Sequence, residues 1–155
     1  MKNNIFLSNA IYKKFITHFP ICAVDVIFLN KSKNKVLLFK RKNRPLKNIY
    51  YSPGGRLLKN EDFYRAACRK TKEELGINLN SKKLIWGGIM NEIHSNSIYK
   101  DVNYHCVDIY FGYILNFKNI EIKLDKQHSA YKWFDISDKN LHPNIKQKIK
   151  NLLFK

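Results

Sequence analysis

Residues 54–77 read GGRLLKNEDFYRAACRKTKEELGI: a glycine turn, a charged helix and a closing glycine. Its fixed frame is G-x5-E-x7-R-x3-E-E-x-G followed by an apolar residue, carried by Gly55, Glu61, Arg69, Glu73, Glu74, Gly76 and Ile77. With Asn60 as N-cap, the helix is expected over 61–75, with Gly76 as its left-handed terminator. Positions 70, 73 and 74 lie three and four apart and share one helix face. Carboxylates on such a face suit Mg²⁺, a hard ion that takes oxygen ligands and shares its other positions with substrate phosphates. Lys70 beside Glu73 and Glu74 leaves this face a formal charge of −1, enough for one ion rather than several. The Gly54-Gly55 turn allows close backbone approach, so a carbonyl there is a further candidate ligand. A helix rich in Glu and Lys also reads as a solvated face with i,i+4 pairs, and only the longer frame argues against that.

Around this stretch, 155 residues make one domain, 1–155, large enough for a real core. A 45% hydrophobic content with 9 Tyr and 10 Phe fits a packed globule. No apolar run approaches the roughly 20 residues that span a bilayer, so no membrane partner is expected. The start MKNNIFLSNAIYKKF has neither an apolar core nor a small-residue cleavage site, and a cytoplasmic location is expected. Cys22, Cys68 and Cys106 lack CxxC spacing and read as reduced thiols. The net charge of +17 admits nucleic acid, an acidic membrane surface or a small anionic substrate. Because the lysines are spread among Asn and Ile and no RNA-binding signature occurs, nucleic acid is not the expected partner.

The chain shows no repeat or linker. A short helix is expected over 9–17, ended before Pro20. ICAVDVIFLN (21–30) and KVLLFKR (35–41) read as a strand hairpin, with a short strand over 48–52 leading into Pro53-Gly54-Gly55. Later strands are expected at 83–90, 104–117 and 130–135. Pro143 opens a basic amphipathic C-terminal helix, NIKQKIKNLLFK. Strands mixed with helices give an α/β (α+β) class.

The frame over 54–77 resembles the Nudix box, with Lys70 in place of a Glu and Thr71 in place of an aliphatic residue. That superfamily hydrolyses nucleoside diphosphates linked to another group, and the resemblance implies the Nudix fold, a mixed β-sheet sandwiched between α-helices. KRKNRP (40–45), PGGR (53–56), RKTKEELG (69–76) and DKQHSAYKW (125–133) further resemble the GDP-mannose mannosyl hydrolase family. This likeness runs from about Pro20 to Trp133. It implies a Mg²⁺-dependent hydrolase of a GDP-sugar substrate. Water attacks the anomeric carbon and GDP leaves, with oxocarbenium-like charge at the sugar as in glycoside hydrolysis.

The same resemblance implies roles residue by residue. His128 is the general base, a residue type that exchanges protons near neutral pH. Glu74, the amide oxygen of Gln127 and a carbonyl of Gly54 or Gly55 hold Mg²⁺, one per subunit, with Mn²⁺ as the alternative ion. Arg41, Arg56 and Arg69 engage the nucleotide or its departing diphosphate, for which guanidinium forks are suited. Arg69 reads alternatively as a structural partner of Glu73 or Glu61. Asp25 is an acidic residue near the sugar, or else a hydrogen-bond acceptor at a strand end. Glu73 reads as a ligand to a second metal or as helix solvation. Tyr104 stands nearest to a family tyrosine, and Glu92 or His94 stands for a family histidine near the sugar. A homodimer is implied by resemblance alone. Two other classes stay open: a Nudix pyrophosphohydrolase cutting a P–O bond of NDP-sugars or nucleotides, and a non-catalytic nucleotide-sugar-binding module.

Overall fold

The computed structural model describes residues 7–116 and 120–154. Its elements run α1 (Asn9–His18), β1 (Ile21–Leu29), β2 (Lys35–Arg41), β3 (Tyr50–Tyr51), β4 (Gly54–Arg56), α2 (Phe63–Leu75), a 3₁₀ turn (Ser81–Lys83), β5 (Ile85–His94), β6 (Tyr104–Ile114), β7 (His128–Asp135) and α3 (Pro143–Leu153). The α/β class and the mixed sheet between helices are as expected. The strand expected over 104–117 stops at Ile114, and its expected end at 117 lies outside the described residues. Among the described residues no helix is long and apolar enough to cross a membrane.

Among the described residues the seven strands join one sheet. β1 runs parallel to β6, and β6 pairs antiparallel with β5. β1 and β2 pair antiparallel only at Phe28–Leu37 and Leu29–Val36. Beyond that point β3 takes up β2 at Phe39 and Lys40, while β4 takes up β1 over Ala23–Asp25. The short strands thus fill a split between two central strands, and the glycine turn sits beside the middle of β1.

Period-2 alternation divides the core between the two sheet faces. Val24, Val26 and Phe28 of β1 pack with Leu37, Phe39, Ile109 and Phe111 beneath Ala66, Ala67 and Leu75 of α2. Ile27 and Leu29 face the other way, onto Ile145 and Ile149 of α3. β1 is therefore buried on both faces, which accounts for its nearly unbroken apolar run. Asp25 interrupts that run on the α3 face.

α2 begins two residues later than the sequence suggests. Asp62 is the N-cap, its carboxylate accepting the Arg65 amide at 2.9 Å, whereas Asn60 has φ 64° in the preceding turn. Gly76 terminates the helix in the left-handed region, φ 72°, as expected. Strand β5 continues to His94 rather than ending at residue 90, because its register with β6 holds through His94–Tyr104.

The approach of β4 to β1 leaves no room at Gly54, where a Cβ would run into Asp25 Oδ1 and the Val24 carbonyl. At Gly55 a Cβ would meet only the Lys70 side chain, with Cε at 2.6 Å. Gly54→Ala should therefore lower stability by about 1–3 kcal/mol, the usual range for overpacking. Gly55→Ala should cost clearly less, since a lysine side chain can swing aside. Urea unfolding of both variants measures the difference, and equal losses would contradict this account.

Candidate active site

The split in the sheet opens into a cavity of about 300 Å³ lined by residues from both halves of the chain. Charge is sorted by depth within it. Arg44 and Arg56 are exposed and Arg41 and Lys70 half-buried, whereas Asp25, Glu92 and Asp108 are buried. The outer part is cationic and the inner wall anionic. Arg41 is oriented by its own loop, with Nε donating to the Pro45 carbonyl at 3.1 Å, and the Arg56 guanidinium lies 4.5 Å over the Tyr12 ring.

The inner carboxylates come from β1, β5 and β6, and a lysine of α3 joins them. Lys148 Nζ lies 2.7 Å from Asp25 Oδ2, 2.8 Å from Glu92 Oε1 and 2.7 Å from Asp108 Oδ2. Ser52 donates to Asp25 Oδ2 at 2.5 Å, and the Tyr51 hydroxyl donates to Glu92 Oε1. Three carboxylates around one ammonium leave a formal −2 in a buried space, so their proton affinities split. Burial lifts the Asp25 carboxyl despite Lys148, and burial with repulsion from Asp25 lifts Asp108 much further. Burial opposes charge on Glu92 as well, yet His94, Lys148 and the Tyr51 hydroxyl hold it at about 2. Lys148 stays firmly protonated because its carboxylate neighbours outweigh its own burial.

On the α2 side, Glu74 reaches the cavity as a buried carboxylate. Its Oε2 accepts the Gly54 amide at 3.1 Å, and its Oε1 pairs with Lys70 Nζ at 3.0 Å. Burial raises its proton affinity, opposed by Lys70. Lys70 also meets Glu73 Oε2 at 3.2 Å, so its ammonium lies between the two box carboxylates.

Gln127 lines the cavity, whereas its neighbour His128 does not and is buried against the Phe39 ring. Both are held by one carboxylate. Asp125 Oδ1 accepts the Gln127 amide N–H at 2.9 Å and faces His128 Nδ1 at 2.9 Å, while Oδ2 accepts from Gln127 Nε2 at 3.1 Å. A ring nitrogen facing a carboxylate carries the proton, which leaves His128 Nε2 as the acceptor. That atom is buried with no hydrogen-bond partner among the described residues.

The cavity thus gathers Asp25, Arg41, Gly54, Gly55, Arg56, Glu74, His94, Tyr104 and Gln127 from the residues selected in the sequence. The His94 and Tyr104 rings stack at 6.0 Å across the β5–β6 pair. Three selected residues do not line it. His128 is buried against Phe39. Glu73 is turned outward to Arg69 and Lys70. Arg69 is engaged elsewhere: Nε and Nη2 reach Glu61 at 2.6 and 2.8 Å, Nη2 also reaches the Arg56 carbonyl at 3.0 Å, and Nη1 meets Glu73. Its alternative reading, a structural partner of both glutamates, describes what it touches.

Sequence reasoning missed the roles of Asp125, Asp108 and Lys148. The last had a visible signal, since positions 145, 148, 149 and 152 form the apolar stripe of α3 and a lysine stands within it.

The NUDIX domain model matches residues 20–154, and the chain belongs to the Nudix family. It is 27% identical over 137 residues to the low-salt glycan biosynthesis protein Agl8 of Haloferax volcanii, covering 88% of this chain and 84% of that one. It is 33% identical over 119 residues to an ADP-ribose pyrophosphatase of Methanocaldococcus jannaschii, covering 77% of this chain and 64% of that one. A MutT NUDIX hydrolase structure from Burkholderia pseudomallei superposes with a TM-score of 0.71 at 22% identity, over 86% of this chain and 98% of that one. The last likeness concerns the fold alone.

Nudix hydrolases typically use a divalent metal, and two places here have carboxylate density. Asp25, Glu92 and Asp108 offer oxygens within 4.8 Å of one another, but the Lys148 ammonium already serves as their cation. At Glu74 the fit is to a single ion: one buried carboxylate that now pairs with a cation, Lys70, beside an exposed amide side chain at Gln127. A cluster of several ions does not fit a face of net charge −1. Lys70→Glu should therefore strengthen Mn²⁺ or Mg²⁺ binding at least about tenfold, or about 1.4 kcal/mol. Calorimetric titration of the two proteins measures this, and unchanged affinity would remove Lys70 as the limiting group.

Proposed function

We propose that this Nudix hydrolase acts on nucleoside diphosphates that carry a sugar, and that it cuts the bond between the sugar and the diphosphate. The observation that carries this reading is the sorting of charge in the cavity. Arg41, Arg44, Arg56 and Lys70 offer donors to a diphosphate at the outer part, where guanidinium forks match phosphate oxygens. The inner carboxylates of Asp25, Glu92 and Asp108 accept hydrogen bonds from hydroxyl groups and favour positive charge at a neighbouring carbon. A sugar nucleotide bound this way sets its anomeric carbon between the two regions.

Glu74, the Gln127 amide oxygen and a carbonyl of the Gly54-Gly55 turn would hold one Mg²⁺ or Mn²⁺, which when bound adds positive charge beside the leaving diphosphate. The chain's own residues do the rest. Asp25 stabilises the charge that develops at the anomeric carbon. His128, its ring fixed by Asp125 through Nδ1, takes the proton of the attacking water at Nε2, a buried atom that must be opened to the cavity when substrate binds. The C–O bond breaks, its electrons stay with the diphosphate, and the sugar leaves with inverted configuration. GDP-mannose and related GDP-hexoses are the first substrates to test.

A second reading, hydrolysis of a P–O bond in NDP-sugars or nucleotides, is favoured by the relatives' names, above all the ADP-ribose pyrophosphatase. The comparisons support that reading more directly than mannosyl hydrolysis. The place of Lys70 between Glu73 and Glu74 speaks for sugar-bond cleavage, because it fills the face on which a metal-activated water beside phosphorus would depend.

Incubation of GDP-mannose, GDP-glucose, GDP-fucose and ADP-ribose in ¹⁸O-water with Mg²⁺ separates the two. Nucleoside diphosphate and ¹⁸O-labelled free sugar are expected from the GDP-sugars, and no free ribose from ADP-ribose, whose terminal sugar is joined through C5′ rather than through its anomeric carbon. Nucleoside monophosphate with label in phosphate would establish the second reading, and binding without turnover would point to a sensor. On the active substrate, His128→Gln should lower kcat by roughly 10²–10⁴; a near-normal kcat would remove His128 as the base.

A further inference from the structure

The nitrogen that organises the inner wall is itself outside the cavity. Lys148 is fully buried, and its Nζ lies within 2.8 Å of a carboxylate oxygen on each of three strands. It donates a hydrogen bond to Asp25 Oδ2 and forms ion pairs with Glu92 and Asp108, each through one carboxylate oxygen. Asp25 Oδ2 and Glu92 Oε1 are taken, the first shared with Ser52 and the second with Tyr51. Glu92 Oε2 faces His94 Nε2 at 3.7 Å, beyond hydrogen-bond length. Asp108 Oδ1 is buried with no partner among the described residues, although its residue lines the cavity.

The pattern is that of a template. One cation gathers three carboxylates so that one oxygen of each faces it, while Asp25 Oδ1 lies beside Gly54 and Asp108 Oδ1 is left without a partner among the described residues. Strand registers supply the spacing: Ala23 pairs with Asp108 in the parallel β1–β6 ladder, and Glu92 pairs with Cys106. The rings of Tyr51 and Tyr110 lie 5.1 and 5.8 Å from Nζ and hold its position.

We propose that Lys148 is a positioning residue, fixing Asp25, Glu92 and Asp108 as an acceptor wall for the hydroxyls of the group attached to the diphosphate. The C-terminal helix thereby governs affinity for the sugar part of the substrate without touching it. This rests on the reading of the inner wall as the sugar side of the cavity. Without the ammonium the three carboxylates repel one another, and the wall loses its shape while the outer arginines keep theirs. The loss should therefore fall on sugar recognition and spare the nucleotide.

Calorimetric titration of the full chain with two matched pairs, GDP against GDP-mannose and ADP against ADP-ribose, tests this in wild type and Lys148→Met. In wild type one sugar nucleotide should bind at least about tenfold more tightly than its parent nucleotide. In Lys148→Met that difference should vanish, with affinity for the parent nucleotide within twofold. If Lys148→Met does not fold, as judged by circular dichroism, the charge-balanced pair Lys148→Met with Asp108→Asn carries the comparison. An equal loss for nucleotide and sugar nucleotide, or no loss, would reduce Lys148 to a structural role. A wild type that binds both members of each pair alike would also overturn the proposal. Failure of the proposed reaction shows separately, as tight sugar-nucleotide binding by a wild type that releases no free sugar.

Discussion

One buried ammonium holds this molecule together at its functional centre. Lys148 Nζ joins α3 to β1, β5 and β6 through three carboxylates at 2.7–2.8 Å. Taking such charges out of water is costly, and the mutual attraction repays it only when the geometry is good and the remaining atoms are satisfied. Here Ser52 and Tyr51 add hydrogen bonds to two of the three carboxylates, while neither Asp108 oxygen has a hydrogen-bond partner among the described residues. An apolar cluster of the same volume would serve stability as well or better. The cost makes sense if the carboxylates have another use, and all three line the cavity.

Most of the fold was legible in the sequence because it rests on local periodicity. The helix over the box, its glycine terminator and the β1–β2 hairpin follow from spacing and turn chemistry within a few residues. Boundaries failed where tertiary pairing decided them. β5 runs on through Asn91–His94 only because β6 continues opposite, and Asn60 lost the cap to Asp62 because its own backbone turned left-handed. The outer cavity was legible for a similar reason, since Arg41, Gly54, Arg56 and Gln127 each sit in a short recognisable segment. The inner wall was not. Lys148 lies 123 residues from Asp25, and no local pattern encodes that meeting. Its only trace is a charged residue at a buried position on each element.

Arg69 and Arg56 show how far a motif position carries. Both were selected for the same chemistry by the same resemblance. Arg56 is exposed at the cavity, whereas the Arg69 donors go to Glu61, Glu73 and the Arg56 carbonyl. Arg69 thus ties the helix to the strand that bears Arg56, so it acts on the cavity through the backbone. A charged residue in a conspicuous frame can serve the frame itself.

Lys70 changes the box more deeply than a missing ligand would. A neutral replacement would leave Glu73 and Glu74 repelling each other and open to a cation; the lysine occupies the pair from within, at 3.2 and 3.0 Å. The face that could gather metal around a phosphorus atom is then largely neutralised. Acidity in the cavity is concentrated instead on the inner wall. On the proposed reading the two lysines divide the work: Lys70 quiets the carboxylates beside the diphosphate, and Lys148 organises those beside the sugar. On that reading, the bond that is cut depends on which carboxylates face the substrate, and in this chain Lys70 leaves that part to the inner wall.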